Sequence, residues 1–144
     1  MLSLSRASLI LDAALAEGRR LNLAPLAVAA LDAGGHLVAF KREDGAGIVR
    51  FDIAFAKAWG SLGMGFGSRE LTERAAKNPT FIAVLSTVAG GRMAPSPGGV
   101  LILDAERRVV GAVGVSGDVG DKDEICAIAG VEAGGMTAIP GMIG

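Results

Sequence analysis

At 144 residues, 51% of them hydrophobic, the chain suits one domain with a single sizeable core, and its net charge of −1 argues against a nucleic-acid partner, which requires a basic patch. One cysteine excludes an intrachain disulfide and fits a reducing compartment, so a cytoplasmic protein is expected; the start of the chain lacks a basic stretch, and Asp12 interrupts its apolar run. The most apolar window, 53–68, is shorter than the roughly 20 residues a membrane span needs and carries Lys57, so no membrane partner is expected, and a mean hydropathy of +0.48 points to a homo-oligomer that covers apolar surface.

Ser3 or Ser5 caps a first helix that reaches about Arg20. Residues 24–31 and 36–42 read as two strands. Asp32-Ala33-Gly34-Gly35 between them is a hairpin turn, because glycine supplies the positive φ of a tight reversal. After a loop over 43–47, residues 49–64 have helical periodicity, with Phe51, Phe55, Ala58, Trp59 and Leu62 on one face. Gly63, Gly65 and Gly67 end it. Ser68 is expected to cap a further helix that stops near Asn78-Pro79, and 80–88 forms another. Residues 90–97 read as a loop with a short strand near Met93. A second hairpin joins 100–103 to 109–115, a last helix covers about 122–134, and the apolar tail 136–144 reads as irregular. Locally connected hairpins argue for an antiparallel sheet, hence an α+β or αβα sandwich and not a doubly wound fold.

The glycines at 111, 114, 117 and 120 lead into a helix start that carries Asp118, Asp121, Asp123 and Glu124. Those carboxylates would repel a phosphate, and Asp121 with Glu124 fits a capping box. Three readings stand for this segment: glycines for close helix-on-sheet packing, a ligand pocket bordered by Ser116 and Gly117, and a metal site made of the carboxylates. His36, the one histidine, reads as a turn-flanking surface residue, as an iron ligand or as a general acid/base. Lys57 is the sole charge between Asp52 and Arg69, and it lies on a helix face of small residues opposite the aromatic face. A lysine so placed is partly buried: either its stem packs while the amine reaches water, or it anchors a ligand carboxylate. Arg42 is a solvated arginine or a carboxylate clamp. Cys126, within Ile125-Cys126-Ala127-Ile128, reads as core.

Several segments, taken in order, are similar to one family. They are 26–28, Asp32 to Val38, Arg42 to Ala46, Ala54 to Ala58, Ser68 to Leu71, Pro97 to Val100, and Val110 to Gly117 with Asp123-Glu124. The chain resembles the GlcG/HbpS family, the small haem-binding or haem-degrading domain also found at the C-terminus of PduO-type proteins. The resemblance implies a profilin-like αβα sandwich, with a central antiparallel sheet of about five strands and assembly into dimers or larger oligomers. It also implies haem as a candidate cofactor for some members and neighbouring catabolic roles for others. This chain has no histidine in its first helix and no tyrosine, which removes two types of iron ligand.

The expected function is therefore binding of haem or a carboxylated catabolic metabolite in a pocket between the sheet and the Lys57 helix. Arg42 and Lys57 would contact the anion, Gly98 and Gly99 would allow close backbone approach, Ser116 and Gly117 would border the pocket, and His36 would ligate a metal or transfer a proton. The competing reading is a cofactor-free isomerase, hydrolase or lyase acting on a small oxo- or hydroxy-acid, with His36, Lys57 or an acid of the 118–124 cluster as proton carrier.

Overall fold

Ser3 accepts a hydrogen bond from the Arg6 N–H at 3.2 Å and so caps α1 (Leu4–Arg20). Arg19 and Arg20 close that helix, where cations suit the negative end of its dipole. In the computed structural model, which describes residues 1–144, nine further elements follow. They are β1 (Ala27–Asp32), β2 (Leu37–Arg42), α2 (Arg50–Met64), α3 (Ser68–Lys77), α4 (Pro79–Val88), β3 (Gly99–Leu103), β4 (Val109–Ser116), α5 (Gly120–Ala133) and β5 (Thr137–Ile139). The strands form one antiparallel sheet in the order β2-β1-β4-β3-β5.

Both hairpins rest on turn chemistry. Gly35 takes φ +81 in the β1–β2 turn. In the β3–β4 turn the Asp104 carboxylate accepts the N–H groups of Glu106 and Arg108. Side chains alternate across the sheet. Val28, Ala30, Val100, Ile102, Val113 and Val115 point into a core completed by Ile10, Leu11 and Ala14 of α1 and by Cys126, Ala127 and Val131 of α5. Leu31, Leu101 and Ala112 point to the other side, against Ala58 of α2. The sheet is thus covered by α1 and α5 on one face and by α2 on the other, the expected α+β arrangement.

Four local expectations are corrected. Residues 136–144 are not wholly irregular: β5 pairs Leu101 with Ile139 and so covers the β3 edge. No strand forms near Met93. Ser68 does not cap α3, which Gly67 precedes; its Oγ accepts the Gly99 N–H at 2.8 Å instead. Asp121 and Glu124 form no capping box. α5 begins earlier, at Gly120, without a side-chain cap, and both carboxylates are drawn to Arg69, at 2.6 and 2.9 Å.

The seating of α2 decides the geometry of the site. Its small-residue face, with Ala54, Lys57, Ala58, Gly60 and Ser61, lies on the sheet, while Phe51, Phe55, Trp59 and Leu62 stay half-buried. Gly99 and Gly114 are paired across β3 and β4. A Cβ at Gly114 would overlap the Ala54 carbonyl, and one at Gly99 would overlap the Lys57 carbonyl. The helix backbone therefore rests directly on the strands, which only paired glycines permit.

Candidate functional site

The candidate residues fall at two opposite ends of the sheet, separated by the length of a six-residue strand, about 20 Å.

At one end, the pitch of α2 aims Lys57 past the end of β4 towards α5, and the lysine is only 2% exposed. Its Nζ donates to the Val115 carbonyl at 2.9 Å and to Asp123 Oδ2 at 3.0 Å. Asp123 stands on α5, so this ion pair ties the two helical layers together around the end of β4. Asp123 Oδ1 also accepts the Asp118 N–H at 3.0 Å. Burial pushes the Lys57 ammonium down and the Asp123 carboxyl up from their ordinary values, and the attraction between the two works against both shifts. Gly98, at φ +126, leaves room for Nζ: a Cβ there would stand 2.8 Å from it. Ser61 Oγ donates to the Lys57 carbonyl at 2.7 Å. The structure thus gathers Lys57, Gly98 and Gly99 into one close-packed seam, and none of the five surface depressions is lined by them.

Ser116 and Gly117 border this seam. Ser116 is fully buried, and its Oγ accepts from Arg50 Nη1 at 3.2 Å. Gly117, at φ +151, approaches the backbone of Pro25 and Leu26. Arg42 is exposed and lines an open depression of about 430 Å³ with Arg19, Pro25, Glu43 and Asp44.

His36 lies at the other end, just past the β1–β2 turn. Its Nδ1 is 3.2 Å from Asp32 Oδ1, and the same oxygen accepts the N–H groups of Gly34 and His36 at 2.9 and 3.0 Å. Those bonds, the His36 N–H first, hold the Asp32 carboxyl below the usual carboxylate range. With Nδ1 turned to a carboxylate, Nε2 is the nitrogen left for a ligand. Beside the ring is a depression of about 410 Å³, lined by Leu2, Ala33, Val109 and Val110. No group of three or more His, Cys, Asp or Glu side chains gathers anywhere in the fold. Cys126 is buried, and burial pushes its thiol up to about 11, so it stays protonated at neutral pH.

Three partners of the candidate residues escaped sequence reasoning. Asp32 carried a readable signal, since its spacing to His36 spans one tight turn. Asp123 was visible only as part of an acidic run, and Arg50 had no local signal.

The family model for the HbpS-like haem-degrading protein matches residues 2–132. Klebsiella pneumoniae protein ORFY superposes with a TM-score of 0.83 at 25% identity, over 92% of this chain and 90% of that one. A double mutant of Streptomyces reticuli HbpS gives 0.78 at 30% identity, over 91% and 85%. The PduOC:heme complex gives 0.82 at 23% identity, over 92% and 94%, a likeness of fold. No curated protein matches the chain. No helix is long and apolar enough to cross a membrane.

Proposed function

The chain belongs to the HbpS-like family of haem-degrading proteins, and from that premise we propose that it binds haem at the β1–β2 turn, with His36 as iron ligand. The observation that carries this reading is the Asp32–His36 pair on the rim of the 410 Å³ apolar depression. The donor set fits the group. An imidazole oriented by a carboxylate presents a single free nitrogen, and the depression lies within the range of about 300–1,000 Å³ common for small-ligand sites. His36 Nε2 would ligate the iron, Asp32 would fix the tautomer, and Leu2, Val109 and Val110 would keep water from the macrocycle. Bound haem would supply one-electron and oxygen chemistry at that position.

Titration with haem, followed in the Soret band, tests the proposal. Micromolar haem is expected to give a shifted band in the wild type, and His36→Ala to weaken binding about tenfold or more. The single tryptophan gives a second readout. Trp59 Nε1 packs beside Gly35 of the same turn, so its fluorescence should fall in step with the Soret change. No shift in the wild type, or an unchanged affinity in His36→Ala, overturns it.

The protein is further proposed to work as a cytoplasmic homo-oligomer. α4 carries no charged residue, and Phe81, Val84 and Val88 on it are 53%, 53% and 76% exposed. Monomers rarely leave such a run uncovered. Light scattering should report a mass above 14.5 kDa that falls on Val84→Asp; a monomeric wild type refutes this.

A further inference from the structure

We propose that the end of the sheet opposite His36 holds a binding site for a small carboxylate, built on Arg42 and Arg50. This site does not depend on haem.

The first observation is a surplus charge. Arg19, Arg20, Arg69, Arg74 and Arg108 each meet a carboxylate. Arg50 is half-buried and meets none within 4.0 Å; its side-chain partner is the neutral Ser116 hydroxyl, itself fully buried. Asp123 gives no relief, because Lys57 already occupies it, and Arg50 works against the protonation of that lysine. A half-buried guanidinium without a counter-ion favours an anion brought in from solution.

The second observation is register. Ser116 opposes Ala27 on β1, and Ala27 opposes Arg42 on β2. Directly opposed residues project from the same face, and strands lie about 4.8 Å apart, so Arg42 and Ser116 stand about 10 Å apart across one small side chain. That face is the one α2 covers. Phe40, two residues before Arg42, packs edge-on against Phe51 of α2 at 4.8 Å between ring centroids. The Arg50 head on Ser116 and the Arg42 position thus lie on either side of Ala27 in the register.

The nearby acids do not consume these arginines. Glu43 is held by Arg19 at 2.9 Å and by the Leu26 N–H at 2.8 Å, while Asp44 makes no ion pair. Two guanidinium forks offer paired N–H donors that match a planar carboxylate. A small mono- or dicarboxylate is the class that fits.

Malonate is the probe, titrated by calorimetry and by amide chemical shifts at constant ionic strength. Saturable binding is expected, with shifts centred on Ala27, Arg42, Arg50 and Ser116. Arg42→Gln and Arg50→Gln should each raise the Kd about tenfold or more, and Arg50→Lys should weaken it by less, since it keeps the charge and loses the fork. His36→Ala should bind malonate as the wild type does, which separates this site from the haem reading. Absence of saturable binding, a response that chloride reproduces, or an unchanged Kd in Arg42→Gln and Arg50→Lys overturns the proposal. The last two variants decide the matter even if Arg50→Gln does not fold.

Discussion

Lys57→Met will cost roughly 3–5 kcal/mol of stability, the range found when one member of a buried ion pair is removed. The methionine fills the same space and leaves the Asp123 carboxylate, 1% exposed, without its ammonium partner. Val115 also loses a donor to its carbonyl. The pH dependence gives the cause a signature. Burial already pushes the Asp123 carboxyl up, and removal of Lys57 takes away the attraction that opposes this. A carboxyl whose folded pKa lies above its unfolded value of about 4 binds more protons in the native state, so stability falls as pH rises through that window. Lys57→Met should therefore unfold at a lower urea midpoint at pH 8 than at pH 5. The double variant Lys57→Met with Asp123→Leu should regain most of the loss, because no charge is left buried. Equal midpoints for Lys57→Met at the two pH values, or wild-type stability, would show that the pair does not bear on the fold.

Gly114→Ala is expected to be as damaging, at about 3 kcal/mol or more, beyond the usual cost of overpacking. The added methyl would meet the backbone carbonyl of Ala54, not the tip of a flexible side chain. Relief requires α2 to lift from β4, which would strip Ala58 from Leu101 and Ala112 and pull Lys57 from Asp123. Gly99→Ala acts on the same seam, against the Lys57 carbonyl and Ser61 Oγ. Gly47→Ala is the control: nothing lies within 4 Å of its Cβ position, and its stability should change by no more than about 0.5 kcal/mol. Denaturant titration of the three variants decides it. A Gly114→Ala variant as stable as Gly47→Ala would mean that the helix does not sit on the strands.

Elements that depend on near neighbours were legible. Ser3 marked the start of α1, the Asp32–Gly35 turn marked the first hairpin, and the period of 49–64 marked α2. The small-residue face of α2 pointed to a partly buried Lys57; it is only 2% exposed, with its amine on Asp123 and not in water. Legibility failed where a distant partner competed with a local one. Ser68, Asp121 and Glu124 all had the spacing of caps, yet each is bound by a group elsewhere, at Gly99 or Arg69. β5 is three residues long and exists through its pairing with β3, so no periodicity could announce it.

The sequence by itself determined the helices, the two hairpins, the α+β class and the family, because caps, turns and hydrophobic period act over a few residues. Only the tertiary structure decided which face of α2 meets the sheet, and that face was set by Gly99 and Gly114, in strands far along the chain. It also decided that Lys57 is matched by Asp123, 66 residues away, while the half-buried Arg50 is left on the neutral Ser116 hydroxyl. Pairing of buried charges depends on distance in space and on the exclusion of water, and neither is written in the spacing of residues along a chain.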